Sequence, residues 1–199
     1  MYFAPRPLFH GVFTPACVVA STELPLEDAT PIASIDPGWA SPTVVLRGWL
    51  LASGSLHICE EYTFRRTRIA LALDRLCDDT YPPPVAVALD PAGWQHEPAS
   101  GLCVADIVRA FGLDPWKAVM SRRLSLNMLR RRFAGGEGGT EITIDPSCAW
   151  TREACEHFAI GPCPAHGPHV LTPNHGHYID ALRYICGLAV RLAVLRSPD

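Results

Sequence analysis

The six residues Val85-Ala-Val-Ala-Leu-Asp90 carry no polar side chain until the last, and proline closes the run on both sides. A strand with apolar residues at successive positions has no face left for water, so it belongs in the middle of a sheet covered by other elements on both faces. Its neighbours in sequence agree. Pro31–Asp36 is a short apolar run ending in Asp-Pro-Gly, a strand followed by a turn. Thr43–Leu51 and Leu56–Thr63 are β-rich and joined by Ala-Ser-Gly-Ser, which suits a hairpin. Three adjacent strands are thus followed by alternating helix and strand. That order predicts an α/β fold, a mixed β-sheet flanked by helices on both faces.

The remaining elements fill in this plan. Arg65–Cys77 has helical spacing through Ile69, Leu73 and Leu76. Ser100 is placed to cap a helix whose core face is Leu102, Ile107, Val108 and Phe111. Lys117–Met120 reads as a strand, Ser121–Phe133 as an arginine-rich helix and Thr140–Ile144 as a strand. Asp145-Pro146 reads as the cap and first residue of another helix, and His177–Leu195 as the last helix. Ala134–Gly139, with four glycines around Glu137, reads as a flexible loop. Residues 1–30 are proline-rich and aperiodic, and read as an arm or linker with one short strand at Ala16–Ala20. Residues 31–199 then form one domain.

Composition removes several classes. With 48% hydrophobic and 19% charged residues the chain is globular, and its net charge of −3 excludes a globally basic nucleic-acid binder while allowing a basic face. Lys117 is the only lysine and follows Trp116, so there is no Gly-Lys-Ser/Thr phosphate-binding loop. Met1–His10 lacks a charged segment leading into a long apolar run, so no signal peptide is expected. The apolar stretch 179–195 carries Arg183 and Arg191 and follows Asp180, which fits a buried helix and not a membrane span. The eight cysteines are expected to be reduced thiols.

Three aspartates stand where such a sheet would gather them. Asp36 ends the first strand, Asp90 ends the central strand, and Asp180 lies early in the final helix. Carboxylates are hard oxygen ligands suited to Mg²⁺ or Mn²⁺. A pair of ions about 4 Å apart activates water and stabilises a leaving oxygen in phosphodiester hydrolysis. Each residue also has a plainer role: Asp36 and Asp90 precede proline as turn residues do, and Asp180 suits a helix N-terminal half. Asp145 reads as a helix cap, and Glu61 as an ion-pair partner of Arg65 or Arg66. His177, three residues before Asp180, shares its helix face. Arg122, Arg123, Arg130, Arg131 and Arg132 gather on one helix and suit phosphate contacts without base readout. Cys155-x-His157 and Cys163-x-x-His166, with Cys148 nearby and His169, His175 and His177 downstream, hold soft donors. Their spacing is irregular for tetrahedral zinc, so they read as buried thiols and loop histidines.

The segment His175-Gly-His-Tyr-Ile-Asp-Ala-Leu-Arg-Tyr184 resembles the closing signature of phage terminase large-subunit nuclease domains, where His-x-x-Asp-Ala-x-Arg-Tyr supplies the last catalytic carboxylate. Ile32-Ala-Ser-Ile-Asp-Pro-Gly-Trp39 resembles that family's first catalytic strand, and Val85–Ala92 its second. Leu56–Tyr62, with Glu60 and Glu61, and Ile144-Asp-Pro-Ser-Cys148 sit where the family has similar blocks. The likeness covers roughly residues 31–190. It implies a ribonuclease-H-like fold and an endonuclease that cuts concatemeric double-stranded viral DNA during packaging in the host cell cytoplasm. It further implies Asp36, Asp90 and Asp180 as ligands of two Mg²⁺ or Mn²⁺ ions, with His177 beside them as ligand or proton carrier, and Arg183 and Tyr184 orienting Asp180 or packing. It implies an ATPase motor domain, a small terminase subunit and a portal as partners, and a monomeric nuclease domain without membrane attachment. A transposase, integrase or resolvase of the same fold, and a catalytically silent docking module, are the alternatives.

Overall fold

The structure, a computed structural model, describes residues 6–78, 81–98, 100–118, 121–136, 139–163, 167–170 and 173–196. Strands β1 (Thr30–Asp36), β2 (Thr43–Leu50) and β3 (Leu56–Phe64) form an antiparallel meander. β4 (Val87–Leu89) joins β1 in parallel, β5 (Pro115–Lys117) joins β4 in parallel, and β6 (Ile142–Ile144) joins β3 in parallel. The order is β5-β4-β1-β2-β3-β6, so β2 alone runs against the others. This is the mixed sheet expected, but the apolar run of residues 85–89 supplies β4, an interior strand between β5 and β1 that is second from the edge, not the central strand read from the sequence. Helices α1 (Ile69–Leu76), α2 (Val104–Ala110), α3 (Arg122–Ala134), α4 (Ala149–His157) and α5 (Pro173–Arg196) complete the chain, with a separate ribbon of β7 (Ile160–Cys163) and β8 (Gly167–Val170).

Side chains alternate across the sheet with period two, and each face has its own core. Ile32, Val44, Leu46 and Ile58 pack with Leu129, Phe133, Ile179, Leu182 and Ile185 beneath α3, α4 and α5. Ala33, Ile35, Val45, Val87 and Leu89 pack with Leu73, Leu76, Ala105 and Val108 beneath α1 and α2. β2 is buried along its whole length, and the Arg47 side chain inside it has no exposure. A buried guanidinium is tolerated only with partners. Arg47 has Glu60 at 3.2 Å, donates to Pro82 O at 3.3 Å and also donates to Leu76 O. Among the described residues no helix is long and apolar enough to cross a membrane.

Several local expectations give way to tertiary contacts. The segment expected as an arm lies against the core: Phe9 has no exposure, meets the Phe133 ring edge-on at 5.5 Å and stacks on Phe158 at 6.4 Å. In place of a strand at Ala16–Ala20 there is a 3₁₀ turn at Pro15–Cys17 and one bridge from Val18 to Ile144. Ser100 does not cap α2; Cys103 occupies the N-cap, and Asp106 accepts from its backbone N–H at 3.1 Å. Asp145 does not cap a helix either. Its Oδ1 accepts from Ser147 N (2.9 Å) and its Oδ2 from Ser21 N (2.8 Å), a link between distant segments, while α4 begins later. Of the glycine-rich loop, Gly135 has φ 67° and would place a Cβ 2.0 Å from Gly139 O, so only glycine fits that turn.

Candidate metal-binding acidic site

Alternation along β1 decides where Asp36 points. Ser34 faces α5 and its hydroxyl donates to Ala181 O at 2.8 Å, a contact that brings the helix down onto the strand. Two residues later Asp36 faces the same way, and at 7% exposure it accepts from His177 Nδ1 at 2.8 Å. Asp90 follows β4, whose parallel register pairs Ile35 with Leu89, so both aspartates leave adjacent strands at the same end of the sheet. Asp90 Oδ1 accepts from Ala92 N at 2.6 Å, which caps a 3₁₀ turn over Pro91–Trp94, and Oδ2 accepts from the Tyr184 hydroxyl.

Asp180 comes from α5, one turn beyond His177. Arg183 Nε donates to its Oδ1 at 2.7 Å, and Arg122 Nη2 donates to its Oδ2 at 3.0 Å. Arg183 Nη2 in turn donates to the Tyr184 oxygen at 2.9 Å. A continuous polar chain thus runs Arg122–Asp180–Arg183–Tyr184–Asp90, with the Asp36–His177 pair beside it. The helical spacing of residues 177, 180, 183 and 184 puts all four on the side of α5 that faces the strand ends.

The electrostatics agree with this convergence. Burial pushes the Asp36 carboxyl above its ordinary value; the hydrogen bond from His177 opposes this, and the charges of Asp180 and Asp90 reinforce it. His177 is pushed up chiefly by its hydrogen bond to Asp36, against burial. Burial raises the Tyr184 hydroxyl, and its bond to Asp90 raises it further, so it stays a donor. No three ligand atoms of these residues lie within 4.8 Å of one another; arginine, tyrosine and imidazole donors hold the carboxylates. The donor set still suits a hard divalent cation. Asp36 is a buried carboxylate penalised by desolvation and by two like charges, and a cation among them relieves both penalties.

The other residues singled out from sequence have separate fates. Arg123, Arg130 and Arg131 are exposed on α3. Arg122 is drawn to Asp180, and Arg132 is turned inward at 8% exposure, donating to Gly54 O (2.7 Å) and pairing with Glu141 (3.2 Å). Arg132 is therefore not on the basic face. Glu61 pairs with neither Arg65 nor Arg66 in the manner expected: it accepts from Trp150 N (2.8 Å) and Thr151 N (2.7 Å), capping α4. Cys148 and Cys155 are buried thiols whose ionisation burial opposes. Residues 164–166, which include His166, and the side chains of Cys163 and His169 lie outside the described residues. Lys117, read from the sequence as the start of a strand, instead ends β5. It lies opposite Leu89 on β5, next to Asp90's strand, and lines an 80 Å³ cavity with Arg183, Tyr184 and Arg191.

No protein-family profile matches this sequence, and no curated protein does. Solved structures do match in shape. The whole large terminase of a thermophilic bacteriophage superposes with TM-score 0.73 at 16% identity over 96% of this chain and 46% of that one. The P22 large terminase nuclease domain gives 0.68 at 17% identity over 91% and 92%. The large terminase nuclease of thermophilic phage G20c with bound magnesium gives 0.67 at 14% identity over 93% and 98%. A cobalt-bound form of the same nuclease gives 0.65. The chain therefore has the ribonuclease-H-like fold of large-terminase nuclease domains. It spans less than half the length of the first of these, the whole terminase.

Proposed function

We propose that this chain is a metal-dependent endonuclease that hydrolyses double-stranded DNA with little sequence preference, the nuclease portion of a terminase large subunit. The observation that carries the reading is that Asp36, Asp90, Asp180 and His177 lie at one end of the sheet, tied down by His177, Tyr184 and Arg183 and near enough for the charges of Asp180 and Asp90 to act on Asp36, in a fold shared with terminase nuclease domains. Magnesium and cobalt bound to the G20c nuclease support a divalent cation here. Asp36, Asp90 and Asp180 would hold Mg²⁺ or Mn²⁺, as two ions, and the metal would activate water and stabilise the leaving oxygen.

The chain's own groups supply the rest. His177, anchored through Nδ1 on Asp36, presents Nε2 to carry a proton. Tyr184 and Arg183 fix Asp90 and Asp180, and outer contacts of this kind set ligand orientation. Arg123, Arg130 and Arg131 contact backbone phosphates. In this reading the chain cuts concatemeric viral DNA in the host cell cytoplasm, in concert with an ATPase motor, a small terminase subunit and a portal. Structures of the whole thermophilic-phage terminase with ADP and with ATP-γ-S support the motor context.

Supercoiled plasmid incubated with Mg²⁺ or Mn²⁺ tests this. Cleavage that EDTA abolishes, and that Asp36→Ala, Asp90→Ala and Asp180→Ala each remove from folded protein, is the expected result. The capping role of Asp90 and the arginine pairing of Asp180 favour one rival, a silent docking module. Undiminished cleavage in all three variants, or none in the wild type, rejects the nuclease reading.

A further inference from the structure

We propose a second metal site, for a soft or borderline ion such as Zn²⁺, formed by His96, Cys103 and Asp106 outside the acidic site. Among the described residues this is the only group of three whose ligand atoms lie within 4.8 Å of one another. The sequence hides it, because His96 and Cys103 are separated by a loop of no obvious pattern. The backbone closes that loop: Glu97 N donates to Leu102 O at 2.9 Å and Gly101 N to Glu97 O at 2.8 Å. This brings His96 back over the start of α2.

Distances and donor chemistry fit one ion. His96 Nε2 is 3.6 Å and Cys103 Sγ 3.1 Å from Asp106 Oδ2. Bonds of about 2.3 Å to sulfur and 2.0–2.1 Å to nitrogen and oxygen put tetrahedral ligand atoms roughly 3.3–3.6 Å apart. The two Asp106 separations lie just below that range and at its upper limit, and His96 and Cys103 lie within 4.8 Å of each other, so small side-chain rotations suffice. Asp106 is pre-set for the task. Arg109 Nη1 holds Oδ1 at 2.9 Å, and Oδ2, which accepts from the Cys103 backbone N–H at 3.1 Å, also faces the thiol and the imidazole. Cys103 is buried at 4% exposure, while the His96 side chain is 65% exposed. The fourth position therefore faces solvent and suits a water. On binding, the ion takes the place of the thiol proton shared between Cys103 Sγ and Asp106 Oδ2, and one proton is released for each metal bound.

A thiolate and an imidazole select a different metal from three carboxylates. An ion here ties the loop after Asp90 to α2, on the sheet face opposite α5. It is a structural brace for the segment that carries one of the acidic residues, and it stands whether or not the acidic site is a nuclease.

Cobalt(II) titration of the full chain tests it. Tetrahedral thiolate-bound Co²⁺ gives a sulfur-to-metal charge-transfer band and intense visible absorption, whereas octahedral oxygen ligands give neither. We expect one thiolate-bound Co²⁺ per chain, displaced by Zn²⁺. The band should vanish in Cys103→Ser, weaken at least tenfold in apparent affinity in His96→Ala, and persist unchanged in Asp36→Asn. His96 is exposed, so its variant keeps the fold even where Cys103→Ser does not. Absence of the band in the wild type, or its survival in His96→Ala at unaltered affinity, overturns the site.

Discussion

Replacing Asp36 by asparagine separates the two consequences of its charge. Burial first, then Asp180 and Asp90, raise this carboxyl, with His177 opposing. A folded pKa above the unfolded value contributes stability at low pH that is lost as pH rises through the folded pKa, so at neutral pH the ionised group costs stability. Asparagine removes the charge and keeps an oxygen to accept from His177 Nδ1. Gain and loss oppose each other, so the stability of metal-free protein should change by no more than about 1 kcal/mol. The metal response behaves differently. An ion bound only by the native state contributes about 2.7 kcal/mol at one hundred times its Kd. At roughly 2–4 °C per kcal/mol for a domain of this size, wild-type Tm should rise by about 5–11 °C. Calorimetric melts in EDTA and in saturating Mg²⁺ measure both quantities. The variant should match the wild type in EDTA within a few degrees and gain nothing from Mg²⁺. An equal Mg²⁺-dependent rise in both proteins would refute the placement of Asp36 in the metal site.

Four further outcomes follow from the geometry. Tyr184→Phe removes the hydroxyl joining Asp90 to Arg183, and plasmid cleavage should fall about 10–100-fold with Tm little changed; an unaltered rate refutes the bridge. The combined change of Arg123, Arg130 and Arg131 to Gln should flatten the salt dependence of DNA affinity by roughly 0.9 in log–log slope for each phosphate no longer neutralised. Arg132→Gln, buried against Gly54 O and Glu141, should instead lower the urea midpoint and leave that slope intact; the reverse pattern rejects the assignment. His57 is wholly buried between Ser21 Oγ and Thr143 Oγ1, each at 2.9 Å, and burial lowers its pKa from 6.5. The unfolded chain therefore binds this proton first, so the stability due to neutral His57 is lost as pH falls below about 6.5. His57→Gln should flatten urea stability between pH 7 and about 5, and an undiminished slope would count against it.

Asp36 and Asp90 were legible because a carboxylate at the end of an apolar run stays at the strand end in any sheet built from that run. His177 and Asp180 were legible because helical spacing alone puts them on one face. The partners of these residues were not. Arg122 reads as one of five similar arginines until α3 packs beside α5 and carries it to Asp180. Arg132, further along the same helix, looks identical in sequence and is buried.

What the sequence determined by itself, then, is the local pattern: periods of two and of 3.6, the order of strands and helices along the chain, and the positions of Asp36 and Asp90 at strand ends and of His177 and Asp180 on one helix face. Such patterns depend on neighbours within a few positions. Glu61 capping α4, Asp145 holding Ser21, Tyr184 bound to Asp90 and His96 folded back onto Cys103 were decided only in three dimensions. A polar side chain can be satisfied by any suitable donor or acceptor nearby, and which one is nearby is settled by how the helices pack on the sheet.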